Sequence, residues 1–298
     1  MTFLTVFTAP KPFTNPHINN IQRNAIQSWI HLGSEVEVLL MGNEQGMAEV
    51  ASEFNVRHFA EVKCSEEGTP YINSMFDFAR ESSDAPYLAI LNADIMLMPD
   101  FLEAAKQVGS LADKFLFLGR RYDLEVEKEL DFSPGWDARL REEVDRNGTL
   151  HGPVGSDYFL VPRDLLNDMP EFAIGRSGWD NWTIYHAVKS GWPVVDVTRS
   201  AMIVHQNHDY SHLPGNKPPY DLPETKKNVA IAGGMKSMYT ILEANNILVD
   251  GELKPAPMSM PKLLHRIELL VTNDDLQGPR KSLVRWLKKN RRRYERNL

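Results

Sequence analysis

The sequence predicts an α/β fold: a mixed, mainly parallel central sheet flanked by helices, with a helical extension at the C-terminal end. Three observations carry this. Over the first hundred residues, short apolar or β-branched runs alternate with segments of helical spacing, the pattern of βαβ units. Strand and helix patterns then continue to about residue 253. Finally, a proline-rich stretch, "KPAPMSMPK" (254–262), sets apart a basic segment. The expected organisation is one domain over 1–253, in halves of about 1–100 and 101–253, followed by a linker and basic helical tail over 254–298.

The elements follow in order. "FLTVFTA" (3–9) is a strand ending at Pro10-Lys11-Pro12, and "NNIQRNAIQSWIHLG" (19–33) has helical spacing closed by Gly33. "EVEVLLMG" (35–42) and "VRHFAEV" (56–62) are strands enclosing a helix, and a helix after Pro70 leads to the strand "YLAILNA" (87–93). A helix over 100–112 precedes "KFLFLGRRYDLEV" (114–126), a strand that turns into charge. Residues 137–146 form a polar surface helix, and "GPVGSDYFLVPRDLL" is a glycine-rich entry to a short strand. A helix over 179–191 and strands in "PVVDVT" and "SAMIVHQ" come next, then a proline- and glycine-rich loop or lid over 213–225. Residues 224–251 read as helical with a break at Gly233-Gly234.

Composition excludes several classes. No apolar run reaches the ~18 residues of a membrane span, and the N-terminal residues lack the pattern of a signal peptide. One cysteine, Cys64, rules out an internal disulfide framework and a cysteine-based zinc site. The expected compartment is the cytoplasm, and the sequons at Asn147 and Asn181 are read as coincidental. Net charge is −7, but residues 280–298 hold nine Lys/Arg against one Glu, leaving 24 basic and 39 acidic residues elsewhere. A basic tail on an acidic body points the tail at a polyanion. There is no G-x-G-x-x-G, G-x-x-x-x-G-K-[ST] or G-x-S-x-G, which argues against a dinucleotide-binding dehydrogenase, a P-loop enzyme and an α/β-hydrolase.

Candidate chemistry collects at strand ends, where ligands of such sheets bind. Asn92-Ala93-Asp94 ends the strand "YLAIL"; one reading is a carboxylate ligand for Mg²⁺ or Mn²⁺, the other a helix cap. "VHQNHDYSH" gathers His205, His208 and His212 around Asp209, and imidazole is a common metal ligand. "GRSGWDNW" sets Trp179 and Asp180 at a helix start. There Asp180 is a cap or a general base, and Trp179 is core or a wall for a sugar ring. Thr8 and Lys11 by the first strand, and Asn43 and Glu44 after the second, stand where a nucleotide would lie across the sheet or are simply the polar residues common in loops after strands.

On these residues the chain resembles the GT-A glycosyltransferases, and most closely the family-2-like bacterial group. The resemblance covers roughly residues 1–212 and implies a nucleotide-binding half followed by an acceptor half. The family's D-x-D motif, which binds a divalent metal and the donor diphosphate, corresponds to Asn92-Ala93-Asp94, with Asn at its first position. It implies Asp94 as metal ligand, with His205, or alternatively His208, as a second, and Mn²⁺ or Mg²⁺ as cofactor. Thr8, Ala9, Lys11, Asn43, Asn73, Asn92 and Ala93 would face the nucleotide-diphosphate sugar. Asp180 would be the base of an inverting, hexosyltransferase-like reaction of glycan biosynthesis. Asp157, Trp179, and Arg120 with its neighbour Arg121 would face a glycan, lipid-linked or small-molecule acceptor.

Two other classes compete. One is a sugar-nucleotide or glycan binding protein without catalysis, since Asn92 departs from the motif; the other is a metal hydrolase built on His205, His208 and His212. In the tail, Leu283, Val284, Trp286 and Leu287 lie among cations, as in an interfacial helix or in a solvated helix that packs by its few apolar residues. The first reading adds peripheral contact at the inner membrane face through 280–298. Nucleic acid is the weaker partner, because the acidic body would oppose it.

Overall fold

The computed structural model describes residues 1–208, 222–273 and 277–296. A nine-stranded sheet forms the centre. Its first half is β1 (Leu4–Thr8), β2 (Val36–Met41), β3 (Arg57–Phe59) and β4 (Tyr87–Leu91), with β1 between β2 and β4 and all three pairings parallel. The connecting helices are α1 (Pro16–Ile30), α2 (Met47–Glu53) and α3 (Ile72–Ser82). β1 is buried along its whole length, as expected of a parallel strand covered on both faces.

A short β5 (Ile95–Leu97) and α4 (Pro99–Leu111) follow β4. The 114–126 segment, expected as one strand, is two: β6 (Leu116–Leu118) in the main sheet and β7 (Tyr122–Leu124) in a second sheet. The break falls at a crowded glycine. A Cβ at Gly119 would stand 2.4 Å from the Tyr158 hydroxyl, so the chain crosses there only without a side chain. The helix expected over 137–146 is α5 (Trp136–Asn147), polar outside but anchored by Trp136, Leu140 and Val144.

β8 (Thr149–Leu150) then pairs with β7, and β9 (Tyr158–Pro162) runs antiparallel between β4 and β6. After α6 (Trp179–Lys189), β10 (Val194–Asp196) rejoins the main sheet and β11 (Ile203–Gln206) sits between β5 and β7 in the second. The sheet is therefore mixed and mainly parallel, as expected. Trp29 ties α1 to the second sheet: it is fully buried and its Nε1 donates to the Ile95 carbonyl at 2.9 Å. Burial of so large a side chain is worth about 3–5 kcal/mol against Ala.

The helical reading of 224–251 is corrected. α7 (Pro223–Ile231) and two 3₁₀ turns, Gly234–Ser237 and Ile241–Glu243, are followed by β12 (Asn246–Val249) and β13 (Glu252–Pro255). β12 pairs with β10, and the β12–β13 hairpin turns on Asp250-Gly251, both at positive φ, which is the geometry of a tight primed turn. β13 thus carries the sheet across the boundary drawn at 253. The tail is α8 (Met260–Val271) and α9 (Gly278–Glu295). Among the described residues no helix is long and apolar enough to cross a membrane. Asp209, His212 and most of the 213–225 segment lie outside the described residues.

Candidate active site

Strand register brings the first cluster together. β11 is antiparallel to β5, with His205 opposite Ile95, and parallel to β7, with His205 opposite Asp123. His205 therefore stands beside Asp94 on one side and Asp123 on the other. Three residues later His208 closes the group, its Nε2 3.0 Å from Asp94 Oδ2. One ligand atom each from Asp94, His205 and His208 lies within 4.8 Å of the others.

The donor set fits a divalent cation. Asp94 is 9% exposed, and its Oδ1 is buried without a hydrogen-bond partner, a state that is costly unless a ligand satisfies it. Burial alone would raise its pKa. The hydrogen bond with His208 and the charges of His205 and Lys11 prevail and hold the carboxyl well below the usual range, so it is an anion at any working pH. One carboxylate and two imidazoles suit Mn²⁺ better than Mg²⁺, which prefers oxygen ligands.

Behind this cluster runs a chain of polar contacts that the sequence did not reveal. Asp123 lies 3.1 Å from His205 Nδ1, within ion-pairing distance but off hydrogen-bond alignment. It also contacts His151 Nδ1 at 2.7 Å and accepts from Arg121 Nε at 2.9 Å. Burial would raise the Asp123 pKa, but His205, Arg121 and His151 together lower it well below the ordinary value. Arg121 donates onward to Asp157 Oδ2, and Asn92 Nδ2 donates to Asp157 Oδ1 at 2.9 Å. An ordered run thus joins both ends of the cluster.

The facing wall is built by the start of α6. Gly178, at φ +116°, opens the helix; a Cβ there would meet the backbone of Asn228 and Val229 at 3.2 Å. Asn228 on α7 holds the preceding loop, bonding both the N–H and the carbonyl of Ala173. Glu224 holds Arg176 at 2.8 Å and accepts from Ser65 and Thr69. On this frame Asp180 Oδ1 accepts from the Gly178 N–H at 3.2 Å. Asp180 is half-buried at the cleft wall yet closely surrounded by protein. Burial pushes its pKa up to about 6, against the lowering by backbone N–H groups of Asn181 and Gly178.

Both clusters border one cleft of about 790 Å³, at the carboxyl ends of β1, β2 and β4. Of the residues singled out in the sequence, Thr8, Ala9, Lys11, Asn43, Asn92 and Ala93 line it. So do Asp157, Trp179, Asp180, Asp94, His205 and His208. Asn73 does not: it lies within α3, partly buried, away from the cleft lining. Arg120 does not either. Its Nε donates to the His151 carbonyl at 2.6 Å, while Arg121 lines the cleft, because adjacent residues of an extended chain point to opposite sides. Three assignments change in character. The Thr8 hydroxyl donates to the Leu91 carbonyl at 2.6 Å. Trp179 is only 5% exposed and packs edge-on against Phe159. Asp157 is already engaged through both carboxylate oxygens.

In fold the chain is similar to glucosyl-3-phosphoglycerate synthase from Mycobacterium tuberculosis. A complex with Mn²⁺, uridine diphosphate and glucosyl-3-phosphoglycerate matches at 16% identity over 87% of this chain and 88% of that one, with a TM-score of 0.45. A complex with Mg²⁺ and uridine diphosphate matches at 17% identity, with the same coverage and a TM-score of 0.46. A complex with phosphoglyceric acid matches at 15% identity over 78% and 79%, with a TM-score of 0.47. No protein-family model and no curated protein matches the sequence. The likeness is one of fold alone.

Proposed function

We propose that the protein is an inverting glycosyltransferase that moves a sugar from a nucleoside-diphosphate sugar to an acceptor hydroxyl. The observation that carries this reading is that a cation-binding triad and a carboxylate of raised pKa border the same cleft. A divalent cation held by Asp94, His205 and His208 would neutralise charge on the leaving diphosphate. Lys11, which lines the same cleft, adds a fixed positive charge beside Asp94.

Asp180 is the base. Its ionised carboxylate takes the proton of the acceptor hydroxyl as that oxygen bonds to the anomeric carbon and the bond from that carbon to the phosphate oxygen breaks. A pKa of about 6 leaves Asp180 ionised at neutral pH and more basic than an ordinary aspartate. Arg121 is held by Asp123 and Asp157 at the edge of the cleft and Arg176 by Glu224; both orient anionic or hydroxyl groups of the substrates. The departure at Asn92 leaves the triad whole, which favours an active enzyme over a binding protein.

The test is nucleotide release from a panel of UDP- and GDP-sugars with Mn²⁺, with and without acceptor alcohols. Asp94→Ala is expected to abolish metal-dependent release and weaken donor binding. Asp180→Asn is expected to bind donor normally and lose transfer. Donor binding without any turnover by the wild type would leave a binding protein, and a product of retained anomeric configuration would remove Asp180 as the base.

A further inference from the structure

Eight of the eleven large hydrophobic side chains exposed among the described residues lie between Met258 and Tyr294. Among the described residues the body exposes only Met1, Leu111 and Val154 of this kind. α8 is fastened to the body by one side: Lys262 Nζ donates to the Ala244 carbonyl at 2.5 Å, and His265 pairs with Glu243 at 2.9 Å. α9 is fastened to α8 by Val284, Leu287 and the Arg291–Glu268 pair at 3.1 Å. Away from those contacts, α8 exposes Leu263, Ile267 and Leu270 at helical spacing, and α9 exposes Leu283, Trp286 and Tyr294. Leu270 is 82% exposed and Trp286 57%.

Cations accompany the exposed apolar residues. Of the nine Lys/Arg in 280–296, Lys288 and Arg291 pair with carboxylates. Arg280, Lys281, Arg285, Lys289, Arg292, Arg293 and Arg296 have no ion-pair partner among the described residues. A surface that exposes leucines and a tryptophan beside unpaired cations needs a partner that is apolar and anionic at once. A phosphate backbone would cover the cations and leave the leucines in water. A second copy of this helix pair would face its own positive charge.

We propose that α8 and α9 together form a docking surface for a bilayer carrying anionic headgroups. Leu263, Ile267, Leu270, Leu283 and Trp286 enter the interfacial layer while the unpaired Lys/Arg meet lipid phosphates. Tyr294 and Trp286 have the amphipathic rings that collect at that depth. The proposal stands on the tail alone and is independent of the reaction assigned to the cleft.

The test is co-sedimentation of the full chain with vesicles of phosphatidylcholine alone, or with about a third phosphatidylglycerol, at low and high salt. Three chains are compared: wild type, Leu270→Ser/Trp286→Ser, and Lys281→Glu/Arg285→Glu, all changes at exposed positions. Matching circular-dichroism melts establish that the variants fold. Wild type is expected to sediment with the anionic vesicles only and to release in salt, with a blue shift of Trp286 fluorescence. The apolar variant is expected to bind more than tenfold more weakly, and the charge variant roughly fivefold more weakly per residue changed. Failure of the wild type to bind overturns the proposal, as does equal binding to both vesicle types or full binding by the apolar variant. Self-association or retention on duplex DNA without vesicle binding overturns it in favour of those partners.

Discussion

Asn92 donates from its side-chain amide to Asp157 Oδ1 at 2.9 Å, and from its backbone N–H to the Asp157 carbonyl at 2.9 Å. Position 92 is therefore a tether, and the tether needs a donor. An aspartate there would set a second carboxylate against Asp157 in place of a hydrogen bond. Restoring the D-x-D pattern by Asn92→Asp is thus expected to lower stability by about 1–3 kcal/mol without tightening Mn²⁺ binding. Thermal melts and Mn²⁺ titration check this; a tighter site with an unchanged melt would show that Asn92 is a weakened ligand.

Asp123 acts through the residues it holds. It contacts His151 and Arg121 and stands 3.1 Å from His205 Nδ1, so it places a carboxylate charge beside one member of the triad. Outer partners of this kind are typically worth 10–100-fold in metal affinity. Asp123→Asn is expected to weaken Mn²⁺ binding by about that factor, while Asp94→Ala removes it. Electron paramagnetic resonance of free Mn²⁺ reads both, with no need of turnover. An unchanged Mn²⁺ affinity in the Asp123 variant would make the Asp123–His205 approach incidental.

Much of this was legible in the chain, and the limits have physical causes. Strand periodicity located β1, β2 and β4, and with them the ends at which Thr8, Asn43 and Asp94 stand. Asp123 and His151 were not legible, because their role depends on β11 entering between β5 and β7, a pairing between distant segments. Arg120 and Arg121 were read together, and which of the two lines the cleft depends on the turn of the chain between β6 and β7, which the sequence pattern does not show. Residues 246–255 carried a readable signal in Asp250-Gly251, which follows the apolar run 247–249. The helical reading ran through it because the segment before it is helical. Asn73 lies in the first turn of α3 and off the cleft lining; a polar residue at such a position carries no sequence signal that tells a ligand contact from an ordinary helix start.

The donor set orders Mn²⁺ against Mg²⁺. Two imidazoles and one carboxylate offer a single hard oxygen donor residue, and imidazole suits a first-row transition metal better than Mg²⁺, which prefers oxygen ligands. Mn²⁺ is expected to bind at least tenfold more tightly than Mg²⁺, and the difference should shrink in a His205→Asp/His208→Asp variant. Isothermal titration with each ion decides; equal affinities in the wild type would mean that the imidazoles do not ligate.

As the proposed base, Asp180 would link activity to stability through one carboxyl. Its pKa rises from 3.8 to about 6 on folding, so the folded chain binds the proton more tightly than the unfolded one. Stability is therefore highest at low pH with respect to this group, falls between about pH 4 and 6, and stays at the lower level above. Activity runs the other way, since the base works only when ionised: kcat/KM is expected to rise with pH through about 6 and then level off. Asp180→Asn removes the titration. At pH 7 it is expected to melt a few degrees higher than wild type while losing transfer by about 10²-fold or more. A pH–rate profile of the wild type paired with melts of both chains at pH 5 and pH 7 provides the check. A gain in stability at pH 7 that shrinks to roughly half at pH 5, together with a lost acidic limb, identifies Asp180 as the group that titrates; the same gain at both pH values would assign the effect to packing instead.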